Sequence, residues 1–539
     1  MHYSLPRRFS CVLAAWIVPV FCALPSPAQT TLPPTTIATY HYDNYRTGWN
    51  QTESALTPAN VNSTTFGLLH NVALDAQVDG QPLVVPNVMI TAGNYVGQHN
   101  VVYVATENNT VYAIDANSGT VLLNPNFGPP VAPNPSCGPT PKLGMHSTPV
   151  IDPVAGTLYV LAYVQTATAP VYQLHALDLG SLTDKVAPLT VAASHTLLNG
   201  TTLRFNPLYQ RQRPALLLAN GNLYAAFGSF CDGQSAHSRG WLLGWTASSL
   251  APLSSNTLVD TQTASTGFDY FLSSIWMSGY GPAADDAGNI LFVTGNSSPG
   301  TYDGVSNFQE SVVKVPANLG AVLDYFTPSD QEALDAGDDD FGSGGVMVLP
   351  DQTGSTPHLA VAAGKDGHMF LMNEDSLGRY FSSKNNVIGT YSINPCWCGE
   401  SYYVDSDGIG RVVSSGGRVI KVWKVMTTPK VALTPGTQSV SLGGGQFPGF
   451  FTSISSNGTA SPIIWAVSRP ASGTNTTVYL FAFNPDAGGT SMTELYRGAA
   501  GSWPNPLNDA NIVPVVANGE VFVASVKQLQ IFGLLSAKK

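Results

Sequence analysis

Charge is scarce in this chain: 23 Lys and Arg stand against 34 Asp and Glu among 539 residues, for a net charge of −11. With so few cations and no cluster of them, the chain has no means of neutralising a phosphate backbone, which excludes a nucleic-acid partner. Cysteine is equally rare, six in all, and no Cys-x-x-Cys-His run exists to attach haem. Any electron acceptor would therefore be a separate molecule. Long apolar runs are missing beyond the N-terminus, which excludes a helical membrane span. Helical periodicity is almost absent too, and with it the helical solenoids. No Gly-x-Ser-x-Gly elbow or paired-carboxylate motif occurs, and His99, His175 and His237 lack metal-ligand spacing.

What the chain does have is a rhythm of short apolar runs, each flanked by Gly, Pro or Asp and followed by further β-rich runs. Eight units open at Gly80 to Val85, Ser147 to Asp152, Arg213 to Leu218, Gly281 to Asp285, Gly344 to Leu349, Gly410 to Val413, Phe451 to Ser455 and Val513 to Val516. Turns of the Asn-Gly or Ala-Gly kind separate these from strands such as Leu158 to Ala162 and Val521 to Ser525. A sheet that recurs this way cannot bury both of its faces alone, so the units stack in a ring. The expected fold is all-β: an eight-bladed propeller of four-stranded antiparallel blades. The last unit supplies too few strands for a blade, and the run from Phe66 to Leu74 is expected to close the ring by pairing with the C-terminus.

The N-terminus carries Arg7 and Arg8, an apolar run from Cys11 to Leu24 interrupted by Pro19, and Ser26-Pro-Ala28. This is the pattern of a secretory signal cleaved after Ala28, placing the mature protein in the periplasm or outside the cell, without a membrane span. Residues 1–28 read as the signal peptide, 29–39 as a flexible Thr/Pro-rich leader, and 40–539 as one propeller domain. Cleavage leaves Cys137, Cys231, Cys396 and Cys398, which allow three pairings. All four fall in connections expected on one face of the ring. A bond between Cys396 and Cys398 would need a very tight ring, so Cys137 to Cys231 is the favoured bridge.

The stretch from Val101 to Gly119, VVYVATENNTVYAIDANSG, resembles the repeat of pyrroloquinoline-quinone (PQQ) enzymes, the eight-bladed quinoprotein alcohol dehydrogenases. Leu122-Leu123 replaces the docking Trp that usually closes that repeat. Further matches follow in order: Leu56 to Asn62 with Phe66 to Leu69, Gly228-Ser229 through Arg239-Gly240, Thr294-Gly-Asn296, Asp338-Asp-Asp340, and Gly364-Lys-Asp-Gly367. The resemblance runs from about Thr57 to Gly378. It implies that Trp276 would stack under a planar cofactor, that Asn296 would give calcium an amide oxygen, with Asp338 and Asp340 as further metal candidates, and that Lys365 would contact a quinone oxygen or carboxylate. Calcium prefers such hard oxygen ligands and, as a Lewis acid, would polarise the quinone.

The departures from that pattern matter as much. The adjacent cysteine pair of the family has become Cys137-Gly138. The glutamate before Arg239-Gly240 is missing, and Ser306-Asn307 stands where the family has its catalytic aspartate before Asn. Asp303 and Glu310 flank that point out of register. Every candidate also has a plain structural reading: Trp276 as blade packing, Asn296 and Lys365 as turn residues, Asp338 to Asp340 as an exposed acidic loop, Asp405 to Gly408 as an Asx turn, His146 as a rim residue. Two functions survive. One is a binding propeller that holds a small polar molecule, a glycan or an extracellular partner at its funnel. The other is a PQQ- and calcium-dependent dehydrogenase of alcohol or sugar hydroxyls. The missing carboxylates favour binding, because hydride removal needs a base and calcium needs anionic ligands.

Overall fold

The computed structural model describes residues 1, 34–133, 142–230, 238–263, 272–442, 449–468, 476–486, 489–504 and 512–535. Over that span the chain is an eight-bladed propeller of antiparallel sheets, most of them four-stranded, each running from an inner to an outer strand. The inner strands are Leu83–Ile90, Val150–Asp152, Leu217–Ala219, Ala283–Ala284, Val346–Val348, Ser401–Val404, Phe451–Asn457 and Val515–Ala517. Seven coincide with the unit openings read from sequence. The sixth does not: Gly410–Ser414 is the second strand of its blade, paired with the inner strand Ser401–Val404. That inner strand follows a Cys-Trp-Cys-Gly segment that looks like loop, yet Tyr402 and Tyr403 are buried in it.

The sheets stack through apolar faces, as the repeat logic requires. Between the second and third blades, for instance, Leu161 and Tyr163 share one buried cluster with Leu216, Phe227 and Trp241. Ring closure is by the predicted pairing: Phe66–Gln77 runs antiparallel to Glu520–Leu534, from Phe66 opposite Leu534 to Gln77 opposite Val526. The C-terminus supplies two strands of this blade and the N-terminus one, making a three-stranded sheet. The single α-helix among the described residues, Gln331–Gly337, leads into the acidic loop before the fifth blade. Among the described residues no helix is long and apolar enough to cross a membrane.

The segment 37–50 touches every inner strand in turn. Ile37 bridges Val84, and the carbonyl of Ala38 accepts from the Ile151 N–H. The Asn44 amide donates to the Leu218 carbonyl at 3.0 Å. The carbonyls of Asn44, Tyr45 and Thr47 accept from the N–H groups of Ala284, Val348 and Tyr402. Trp49 and Asn50 then pair in parallel with Ile454 and Ser455, and the Asn50 amide donates to the Val516 carbonyl. Arg46 anchors this segment. Fully buried, it donates to Thr39 Oγ1 and to the carbonyls of Tyr40, Pro282 and Leu216.

Candidate functional site

Trp276, Asn296, Asp338, Asp340 and Lys365 come from four separate connections, and the propeller brings them into one cluster. Trp276 sits where the chain enters the fourth blade, on a bent stretch in which Ser273, Met277 and Ser278 all have positive φ. Asn296 follows the second strand of that blade. Asp338 ends the short helix in a left-handed conformation, and Asp340 opens a 3-10 turn beside it. Lys365 lies in the hairpin after Leu359–Ala363.

Lys365 is the centre of the cluster. Its ammonium donates to the Asp338 carbonyl at 2.9 Å, to Asp338 Oδ1 at 3.1 Å, and to Asp340 Oδ2. It also lies 5.4 Å from the centre of the Trp276 ring and 4.7 Å from that of Trp397. Burial alone would lower its pKa, but the charges and hydrogen bonds of Asp340 and Asp338 raise it above the ordinary lysine value. The two indoles meet edge to face at 5.5 Å, and the Arg213 guanidinium lies 5.0 Å from the Trp276 ring centre. Asp340 Oδ1 accepts the Asn296 backbone N–H at 2.9 Å. Gly295 permits this approach, since a Cβ there would lie 2.7 Å from Asp340 Oδ1 and 3.0 Å from Trp276 Nε1.

Of the three carboxylates flanking this point, Asp340 reaches both Asn296 and Lys365. Glu310 is fully buried and accepts the Phe341 N–H through Oε2, while its Oε1 has no partner. Burial, then the charges of Asp340 and Asp335, push its pKa well up. Asp303 is exposed and caps the N–H groups of Val305, Ser306 and Asn307, with Ser306 Oγ donating to it. It is hydrogen-bonded to Gln262, with its pKa lowered by the Ser306 and backbone bonds despite burial, and makes no contact with Lys365.

The oxygen set does not fit calcium. Both oxygens of Asp340 are taken, one by an N–H and one by an ammonium, Asp338 Oδ1 serves the same ammonium, and Glu310 is buried on the Phe341 N–H. That leaves the Asn296 side-chain amide, which makes no hydrogen bond among the described residues, and the exposed second oxygen of Asp338 as available hard ligands, too few anionic oxygens for a calcium site. PQQ fares better on shape alone, since indole faces and cations suit a flat anion.

Sequence reading did not single out Trp397 or Arg213 for this cluster. Trp397 lay between two cysteines that drew attention as thiols, and Arg213 was legible only as the start of an inner strand. The disulfide expectation needs correction. Cys396 and Cys398 are bonded to each other, with Cα atoms 5.2 Å apart, so a one-residue spacer closes the tight ring that had argued against this pairing. Cys137 and Cys231 lie outside the described residues, and their pairing with them. A second buried cluster joins Asp79, Glu107 and His146. His146 Nδ1 bonds Glu107 Oε1, Gln77 donates to both Asp79 oxygens, and Arg211 donates to His146 Nε2 at 2.9 Å.

No protein-family model and no curated protein matches the sequence. Solved structures do match. A quinohemoprotein alcohol dehydrogenase from Pseudomonas putida HK5 aligns with a TM-score of 0.58 and 13% identity over 94% of this chain and 81% of that one. One from Comamonas testosteroni gives 0.57 and 11% over 94% and 81%. A europium-containing methanol dehydrogenase gives 0.59 and 11% over 93% and 98%. At these identities the likeness is one of fold, and the chain has the eight-bladed propeller fold of the quinoprotein alcohol and methanol dehydrogenases.

Proposed function

We propose that this protein is an exported, quinoprotein-like propeller whose funnel binds a small hydroxyl-rich molecule, a sugar or glycan end, on the indoles of Trp276 and Trp397. The observation that carries this reading is the neutralised lysine. Lys365 is already matched by Asp338 and Asp340, so the cluster has little net charge to attract an anion, yet it presents two aromatic rings, an unengaged Asn296 amide and the exposed Asp338 carboxylate. Sugar rings offer apolar C–H faces to aromatics and hydroxyls to such polar groups. Export rests on the Ser26-Pro-Ala28 pattern, with a mature N-terminus at Gln29 expected by intact mass, and a protein kept inside the cell with its full N-terminus would remove that support.

The second reading, a calcium- and PQQ-dependent dehydrogenase of alcohol or sugar hydroxyls, is favoured by the shared fold and by the ordered motif matches around Asn296 and Lys365. Fold does not carry function by itself. Ser306 has no accessible pKa with which to accept a substrate proton unaided, and the oxygen set opposes calcium. Titrating a panel of mono- and oligosaccharides against tryptophan fluorescence separates the two. Saturable binding that weakens at least about tenfold in Trp276→Ala, as expected of an aromatic anchor, supports the binding reading. Dye reduction with added calcium and PQQ, abolished in Lys365→Ala and Asn296→Ala, would overturn it in favour of the dehydrogenase.

A further inference from the structure

Trp397 is held against Trp276 and Lys365 by a staple, because the residues on either side of it, Cys396 and Cys398, are joined to each other. Beside that staple is Glu400. It is 1% exposed, and neither carboxyl oxygen has a hydrogen-bond partner beyond the residue's own backbone. One of its oxygens and the two sulfurs lie within 4.8 Å of one another. A carboxyl left without partners in the interior costs stability and calls for a reason. Tyr280 packs against it, its hydroxyl shared between the Glu400 carbonyl at 3.1 Å and the Arg46 carbonyl at 2.8 Å, with the His41 ring edge to face on Tyr280.

We propose that Cys396–Cys398 is a redox-active bridge, that Glu400 is the proton carrier for its opening and closing, and that reduction releases Trp397 from Trp276. The reductant is a small dithiol. Its thiolate attacks one cysteine sulfur, the bond between Cys396 and Cys398 breaks, and the departing thiolate takes the proton of the Glu400 carboxyl. The second thiol of the reductant then displaces the protein sulfur from the mixed disulfide. The dithiol ends as a cyclic disulfide, and two electrons and two protons have moved to the cysteine pair, with Glu400 reprotonated from solvent or from the reductant. Both cysteines are buried, so the reductant reaches them through a local opening of this connection that leaves the ring folded.

Burial raises the Glu400 pKa to about 7, within reach of this exchange. Carboxyl donors lose their proton above that pH while the attacking thiolate keeps increasing. The rate of reduction should thus rise up to about pH 7 and level off above it.

The full-length protein would be treated with dithiothreitol between pH 5 and 9, quenched with acid, alkylated, and mapped for labelled Cys396 and Cys398, with tryptophan fluorescence followed in parallel. Expected are labelling of both cysteines at temperatures well below unfolding, a fluorescence change that tracks it, and a break in the rate profile near pH 7. In Glu400→Gln the reduction should slow at least about tenfold at pH 6, the loss expected of a missing general acid, and the break should vanish. Glu400→Asp should retain a break. If either variant fails to fold, Cys396→Ser/Cys398→Ser serves as a mimic of the reduced state and should show the fluorescence of the reduced protein. A bridge that resists reduction until the protein unfolds, a Glu400→Gln profile that superimposes on the parent, or a mimic with the fluorescence of the oxidised protein would each overturn the proposal.

Discussion

At the scale of single residues, the pairing of Lys365 separates two acidic neighbours that look alike in sequence. Asp340 is buried and holds both the ammonium and the Asn296 N–H, whereas the Asp338 side chain is 68% exposed. Removing a buried partner strands the opposite charge, at a cost of about 3 kcal/mol, while an exposed partner contributes under about 1 kcal/mol. Asp340→Ala should therefore lower stability to chemical denaturation by roughly 3 kcal/mol. Asp338→Ala should change it little. Equal losses from both would show that Lys365 does not distinguish them. Asp-x-Asp was visible as a motif; which aspartate is buried depends on the left-handed cap at Asp338 and the turn at Asp340, set by how the fifth blade packs on the fourth.

Among the elements, the strand Phe66–Gln77 and the segment 37–50 do different work. The strand covers the edge of Glu520–Leu534, which would otherwise expose a long row of unpaired backbone groups. The segment ties inner strands that are far apart in sequence. Deleting residues through Leu74 removes both and should abolish cooperative melting of the ring, with aggregation through the bared edge. Deleting only through Asn50 should lower the melting temperature while keeping a single transition. Calorimetry decides between them, and a chain lacking residues through Leu74 that melts like the parent would rule out closure by this pairing. The strand was legible from a deficit, since the last unit ran out of strands. The role of segment 37–50 was not, because its hydrogen bonds run mostly through backbone carbonyls, and a mixed run of aromatic and polar residues says nothing about where those point.

Across the whole molecule, buried carboxyls set the pH response. Burial raises Asp260 to about 7, Asp335 to about 8, Glu374 to about 7, Glu400 to about 7 and Glu520 to about 8. In the unfolded chain these groups titrate near about 4. The folded state thus keeps protons that the unfolded state releases, so their contribution is complete below that value and is lost as pH rises through 7 to 8. His41 acts in the opposite sense. Burial lowers it to about 3, so its contribution is present above the unfolded value of about 6.5 and fades as pH falls. Five carboxyls outweigh one imidazole, and the melting temperature should be higher at pH 5.5 than at pH 8.5. A flat or inverted profile would contradict the protonation states assigned here to the buried acids.

Sequence alone determined the architecture, because blade formation is a local matter: alternating apolar strands and tight turns recur at a fixed rhythm, and a repeating sheet has to bury its faces against its neighbours. It also marked the hairpin at Lys365, the turn at Asn296 and the acidic run at Asp338 to Asp340, because each carries its own local signal. What tertiary structure decided was which of these groups meet and in what charge state. The neutralisation of Lys365, the arrival of Trp397 and Arg213 at Trp276, the bond between Cys396 and Cys398, and the isolation of Glu400 all depend on distances between blades. Those distances come from packing spread over the whole ring, which no short stretch of residues encodes.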